Sequence, residues 1–210
     1  QARNRRDHPT VHEPSRGMLR TTEEIAASVR CQSGRVNHAI PICVPLDCAS
    51  DPTLPLAPYL LGVWLGDGET RSGLIFTVDE PIVREIEALG ERLVQYPSAP
   101  LNYRVVNFTA RLRQAGLLGN KHVPPCYLRA APHQRLALLQ GLMDTDGSVG
   151  TQGRSEFSTT LRGLADAVMD LTAGLGIKAV LREPRARLYG RDCGPAYRIT
   201  FTTSLPVFRL

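Results

Sequence analysis

Two aspartates stand at matched places in two copies of one pattern. Residues Leu60–Gly68 read LLGVWLGDG and residues Leu139–Gly147 read LQGLMDTDG. Aligned on the closing Asp-Gly, Gly62 matches Gly141, Asp67 matches Asp146 and Gly68 matches Gly147. The separation of the two acids is the length of a small structural unit, which suggests two half-domains that bring both acids to one centre. Each copy reads as a short apolar helix ending on a carboxylate. The last carbonyls of a helix carry partial negative charge, so an anion there costs ~0.3–1 kcal/mol. Two helices that both carry this cost call for a cation between them. The available donors are the carboxylates of Asp67 and Asp146 and the free carbonyls of Gly66 and Thr145. Hard oxygen donors of this kind suit magnesium, calcium or manganese. An EF-hand is a poor fit: counted from Asp144, the loop has Val149 where Gly is needed and Ser155 where Glu is needed. A lone Asp-Gly is ordinarily a turn; the two long copies together are far more specific.

The elements that must position these acids are legible around them. Leu60, Leu61, Val63, Trp64 and Leu65 leave almost no polar face, so the first helix is expected to be buried all round. Gly62 and Gly66 share one helix face, and Gly141 and Thr145 repeat the spacing. Small residues so placed let two backbones approach closely, which would set both acids at the same end of a helix pair. Gly68 and Gly147 are expected to take the left-handed conformation that stops each helix.

The flanking pattern also repeats. Gly73–Val78 has strand character; Ile82, Val83, Ile86, Leu89 and Leu93 follow at helical spacing; Tyr103–Thr109, YRVVNFT, reads as a strand. In the second half Glu156–Thr160 reads as a strand, Leu161, Leu164, Val168, Leu171 and Leu175 mark a helix, and Ile177–Arg182 and Tyr197–Thr202, YRITFT, read as strands. The openings Tyr103 and Tyr197 lie further apart than the two acids, and the surplus is placed in the loop Glu183–Pro195. Upstream, Gln1–Gly17 is polar and without periodicity and reads as an arm; Leu19–Val44 reads as a connector with a short strand or helix at Thr22–Val29. Residues 1–50 are therefore expected as arm and connector, 51–130 as a first repeat and 131–210 as a second. The fold class is α+β, with two antiparallel sheets and a central two-helix interface.

Composition narrows the partners. The 210 residues are 42% hydrophobic with net charge +5 and a pI near 9.2. That is a globular chain with enough core for one or two domains and a basic balance that suits a polyanion. No run of 18 or more apolar residues occurs and no apolar signal core follows the basic N-terminus. The expectation is a monomeric cytoplasmic protein with no membrane partner. Only two of the 25 basic residues are lysines, Lys121 and Lys178. The arginine habit suits phosphates and guanine edges, and a GC-rich genome explains it equally well. Against it Lys121 is conspicuous. Five cysteines show no metal-binding spacing and are expected to be reduced, mostly structural thiols. His8 and His12 are separated by Pro9, so a tail is the better reading than a metal site.

The two long motifs resemble those of LAGLIDADG homing endonucleases, and the resemblance runs from about Pro58 to Leu210. Asn120-Lys121-His122-Val123-Pro124 resembles the Lys-x-hydrophobic-Pro block found between the motifs in intein-borne members. The first motif and Arg20–Ala26 are similar to the intein inserted in mycobacterial replicative DNA helicases. The resemblance implies Asp67 and Asp146 as metal ligands and catalytic carboxylates, beside the helix-end carbonyls of Gly66 and Thr145 already placed as donors, and Lys121 as the third catalytic group. It implies Mg2+ as cofactor, with Mn2+ or Ca2+ as substitutes for binding, and double-stranded DNA as substrate, cut on both strands within a long asymmetric site. Inteins begin with Cys or Ser and end in His-Asn. Here Gln1 and Leu210 stand at the ends, so the expectation is the nuclease part alone or a fragment of an intein, with flanking splicing segments as further partners. The lysine expected of the second repeat would fall beyond Leu210.

A twisted β-ribbon can enter a DNA groove, and alternation sends every second side chain to one face. Arg104, Arg111, Arg113 and Arg198, with Arg182, Arg185, Arg187 and Arg191, are expected on such faces, and Arg71 and Arg154 follow the acidic motifs toward flanking phosphates. The plain alternative for these charges is a solvated edge that resists aggregation. The alternative to an enzyme is an inactive LAGLIDADG-type DNA-binding or splicing-associated module.

Overall fold

A computed structural model describes residues 18–39, 43–48, 52–150 and 153–210. The expected N-terminal arm, with His8 and His12, lies outside the described residues. The chain divides into two compact units, Gln1–Pro41 and Ile42–Leu210. In the first, α1 (Thr22–Ala27) begins at a reciprocal cap. The Thr21 hydroxyl accepts from the Glu24 amide at 3.2 Å, and the Glu24 carboxylate accepts from the Thr21 amide at 2.9 Å. The short element expected at Thr22–Val29 is thus a helix.

The second unit contains two runs that share a helix–strand–helix–strand order and then diverge, the first into a strand and α-helices and the second into a hairpin and a further strand. The first comprises α2 (Pro58–Asp67), β1 (Leu74–Phe76), α3 (Glu80–Ala88), β2 (Leu93–Tyr96), β3 (Ala99–Val105), α4 (Phe108–Gln114) and α5 (Pro125–Leu128). The second comprises α6 (Pro132–Asp146), β4 (Gly147–Val149), β5 (Ser155–Thr159), α7 (Arg162–Gly174), β6 (Ala179–Arg182), β7 (Arg185–Leu188), β8 (Arg191–Pro195) and β9 (Tyr197–Phe201). One antiparallel sheet has the order β1-β3-β2 and the other β4-β5-β9-β6. The correspondence extends to register: Gly68 bridges Ile75 as Gly147 pairs with Phe157. The surplus expected in the loop Glu183–Pro195 is the β7–β8 hairpin. The fold is α+β with antiparallel sheets, as the residue pattern implies.

Helices α2 and α6 form the centre. Tyr59 through Leu65 are all buried on α2, and Leu138, Leu139, Leu142 and Met143 on α6. Burying each such side chain contributes roughly 1.5–3 kcal/mol, which explains why helices with no polar face are stable here. A methyl group on Gly141 would come within 2.8 Å of the Val63 amide nitrogen and 3.0 Å of Gly62 Cα. Only glycine at both positions lets the backbones touch.

Several expectations are corrected. Gly68 (φ −84°) and Gly147 (φ −94°) are extended, not left-handed. They are glycines for space: a methyl group on Gly68 would strike the Trp64 ring, 2.6 Å from its Cγ, and one on Gly147 would strike Met143, 2.8 Å from its Cα. The strand expected over 103–109 ends at Val105. Asn107 turns left-handed (φ 61°) and α4 begins at Phe108, where burial of Phe108 and Leu112 rewards helical spacing. Leu93 belongs to β2, not to the preceding helix. The five cysteines are free and exposed, so none fills the expected structural role. Among the described residues no helix is long and apolar enough to cross a membrane.

Candidate active site

The close approach of α2 and α6 persists to their last turns. A methyl group on Gly66 would lie 2.7 Å from Thr145 Cβ and 3.2 Å from Asp146 Oδ2. Both helices end on their aspartates, Asp67 and Asp146, so the two carboxylates share one end of the interface. Thr145 points its hydroxyl back along its own helix, donating to the carbonyls of Gly141 at 3.1 Å and Leu142 at 3.0 Å. That bond occupies the hydroxyl and keeps the helix contact slim.

Lys121 completes the cluster. Its Nζ donates to the carbonyls of Leu65 and Gly66, each at 3.1 Å, and lies 5.4 Å from the centre of the Trp64 ring. A cation at a helix C-terminus offsets the dipole that makes the acids costly there. Buried Val123, two residues on, anchors the block to the core. The electrostatics follow. Burial pushes the Asp67 carboxyl above the usual range, the Asp146 charge adds to the rise, and Lys121 opposes it. Asp146 is pushed up by its surroundings and pulled down by Lys121. It keeps solvent on one side, and screening blunts both effects there. Burial lowers Lys121 below the usual lysine range, against the pull of Asp146 and Asp67. Two carboxyls held above their usual range beside one ammonium held below its own mark a place where an added cation is favoured.

Among the described residues no three His, Cys, Asp or Glu side chains gather as a metal cluster. Two carboxylates with neighbouring main-chain oxygens are a sparse, hard donor set. They fit a cation that keeps waters or takes substrate oxygens, as magnesium does. Beside the cluster opens a cleft of about 370 Å³, lined by Gly66, Lys121, Asp146, Ser158, Thr159 and Thr160 among others.

The arginines expected to contact DNA divide by environment. Arg104 stands on the open face of the first sheet and Arg182 and Arg198 on that of the second, paired across β6 and β9. Arg198 meets Glu156 at 2.9 Å and Arg154 reaches Thr200 Oγ1 at 3.3 Å. Arg71 is exposed in the turn after Asp67. Arg187 and Arg191 lie exposed on the hairpin, while Arg185 there is held by Asp192 at 2.6 Å. Arg111 and Arg113 are on helix α4, not on a strand. Arg111 is taken by both oxygens of Glu91 at 2.8 Å and stacks over Phe108. That placement corrects the expectation of a groove-facing strand.

Sequence reasoning missed a second polar cluster behind the site. Asp144 is buried, accepts from the Tyr59 hydroxyl at 2.8 Å and from the Arg209 amide at 3.0 Å. Arg209 lies 4.2 Å over the Tyr59 ring and reaches Gln140 and Glu85, each at 2.8 Å. One signal was available: the match to Asp144 in the first motif is Leu65, so this acid has no symmetric partner. Arg135 was also missed. It is buried on α6 and donates to the carbonyls of Ala130 at 2.9 Å, Gly174 at 2.7 Å and Leu46.

Known proteins extend the comparison. Residues 133–204 match the family model of the LAGLIDADG-like domain. Over 194 residues, 91% of this chain, the sequence is 38% identical to the replicative DNA helicase DnaB of Mycobacterium intracellulare. The chain spans about a third of that protein's length, 32%. Solved structures of the homing endonuclease I-DmoI are similar at lower levels. A mesophilic variant aligns over 70% of this chain and 88% of its own at 17% identity and a TM-score of 0.46. A complex with target DNA and manganese aligns over 70% and 87% at 18% identity and a TM-score of 0.47. The matched residues 133–204 span α6 to β9, so the likeness to the LAGLIDADG-like domain falls on the second run of elements, across the helix interface from the first.

Proposed function

We propose that this chain is a metal-dependent, site-specific DNA endonuclease of the homing type, the nuclease part of an intein carried by a replicative helicase. The observation that carries the reading is the meeting of Asp67, Asp146 and Lys121 at one end of the α2–α6 pair, flanked by two antiparallel sheets whose open faces carry Arg104, Arg182 and Arg198. Asp67 and Asp146 would hold Mg2+, with carbonyl oxygen from Gly66 and Thr145. When bound, a divalent cation supplies a water acidic enough to attack at neutral pH and a counter-charge for the leaving oxygen.

The chain's own residues do the rest. The two aspartates share one end of the helix pair with Lys121 as neighbouring counter-charge, and would hold the cation there. Lys121 stands beside both acids and can stabilise negative charge developing on the scissile phosphate. Its bonds to the Leu65 and Gly66 carbonyls keep the ammonium aimed at the helix ends. Arg71, Arg104, Arg154, Arg182, Arg185, Arg187, Arg191 and Arg198 orient the duplex through phosphate and base contacts. Of the remaining candidates, Arg113 is exposed on α4 and kept as a phosphate contact, and Arg111 is reserved by Glu91. Two non-identical halves read a long asymmetric site, and the expected species is a monomer.

The test uses a supercoiled plasmid carrying the helicase gene with the insertion removed. With Mg2+ the protein is expected to nick and linearise it. Asp67→Asn and Asp146→Asn should abolish cutting while binding stays within about tenfold. Binding without any cutting by the unmodified chain would instead identify an inactive DNA-binding module, and loss of binding in these variants would overturn the assigned roles.

A further inference from the structure

The two sheets flank the same candidate site but offer different chemistry on their open faces. In the first sheet, strand alternation and register place Leu74, Phe76, Val94, Asn102 and Arg104 on the face away from the core. Leu74 and Val94 flank Arg104, and Phe76 lies beside Asn102. The opposite face carries Ile75 and Val105, both buried. Phe76 is 41% exposed, a large aromatic held in solvent on a short strand. In the second sheet the corresponding face carries Ser148, Glu156, Ser158, Val180, Arg182, Arg198 and Thr200. Its opposite face buries Phe157, Ile199 and Phe201. One reading face is therefore mostly apolar with one amide and one guanidinium. The other is mostly hydroxyl and charged, with two adjacent guanidinium groups.

These chemistries match different base edges. In the major groove thymine offers a methyl group to apolar side chains, and adenine accepts a paired contact from Asn. Guanine offers O6 and N7 to an Arg fork, and cytosine donates N4 to a carboxylate. We propose that the first sheet reads thymine and adenine, through Phe76, Leu74, Val94 and Asn102, while the second reads guanine, through Arg182 and Arg198. The inference rests on the proposed DNA-binding function and assigns the substrate chemistry of each half. Glu156, bonded to Arg198, holds that guanidinium on the face and disfavours a phosphate at the same spot. The β7–β8 hairpin extends only the second half, adding Arg187 and Arg191 toward the flanking backbone.

The experiment starts from a duplex pool with a randomised centre, selected by binding to the full chain in Ca2+. The selected duplex is then remade with base analogues. Deoxyuridine in place of thymidine removes only the methyl group, and 7-deazaguanine removes only the N7 acceptor. Each replacement in its own half should weaken binding about fivefold or more, within the ordinary cost of a mismatch, and do little in the other half. The uridine penalty should vanish in Phe76→Ser and the deazaguanine penalty in Arg198→Ala. Both side chains are exposed, and circular dichroism checks that the variants fold. If the pool yields no specific duplex, the DNA-binding function fails and this inference with it. If a duplex is selected but both analogues act equally in both halves, or the variants do not remove their matched penalties, the division between sheets is overturned while DNA binding stands.

Discussion

Asp144 and Asp146 stand two residues apart on α6 in opposite surroundings. Asp144 is enclosed by Tyr59 and the Arg209 amide, and burial, with this bond second, pushes the Tyr59 hydroxyl well above the usual tyrosine range. Asp146 faces Asp67 and Lys121 across the helix ends. Asp144→Asn should therefore lower stability by about 1–3 kcal/mol, the cost of a disrupted buried hydrogen-bond network, and leave nicking intact at temperatures where the protein is folded. Denaturant unfolding and a plasmid assay on the same sample check both halves of this statement. Asp67→Asn should do the reverse. Its carboxyl is raised in the folded state, so its protonated form is the one folding favours. That contribution is whole below the ordinary carboxylate range and is lost as pH rises through the raised value. Without metal, Asp67→Asn should therefore melt higher than the parent at pH 8, by about 2–4 °C for each kcal/mol of repulsion removed. The difference should shrink as the pH falls to about 4, and thermal scans in a chelator measure it. Adding Mg2+ should raise the melting point of the parent and not of the variant.

The helix pair converts sequence symmetry into geometry. Gly62 and Gly141 face one another so closely that any side chain meets backbone rather than a movable side chain. Overpacking ordinarily costs about 1–3 kcal/mol, and here the helices themselves must part. Gly141→Ala is expected to fall at or above that range in urea unfolding and to lose cutting with it, because both aspartates ride on the separation. The same close-packing motif was legible beforehand because its steric cause depends on spacing alone. The end of β3 was not. YRVVNFT alternates as a strand should, and nothing local announces that Asn107 turns left-handed so that Phe108 and Leu112 can enter the core as a helix. Likewise Gly68 and Gly147 were legible as helix ends, but their reason, contact with Trp64 and Met143, is the packing of a turn against itself.

Over the whole chain, a net charge of +5 is modest, and its distribution matters more. Exposed arginines occur on the open sheet faces, in the turn after Asp67 and on the hairpin, while Arg111 and Arg135 are spent inside the fold on Glu91 and on main-chain carbonyls. Binding to duplex DNA should fall steeply with salt. Six neutralised phosphates would cost about a thousandfold between 50 and 200 mM; a flat response in a filter-binding titration would rule out phosphate contacts as the source of affinity. Arg135 also fixes residues of the connector, since its guanidinium and the Leu46 amide meet the same Gly174 carbonyl, the amide at 2.9 Å.

The repeat, its apolar helices, the matched aspartates and the surplus between Glu183 and Pro195 could all be read from residue order, because they depend on composition and spacing along the chain; that the surplus is a hairpin could not. That Asp144 is walled in beside Asp146, where Lys121 places its ammonium, and which arginines are paired inside the fold were decided only by folding. Those properties belong to distances between residues remote in sequence: Lys121 to Leu65, Tyr59 to Asp144, Arg111 to Glu91. A side chain's type sets what it can do, and its neighbours across the fold determine whether it is free to do it.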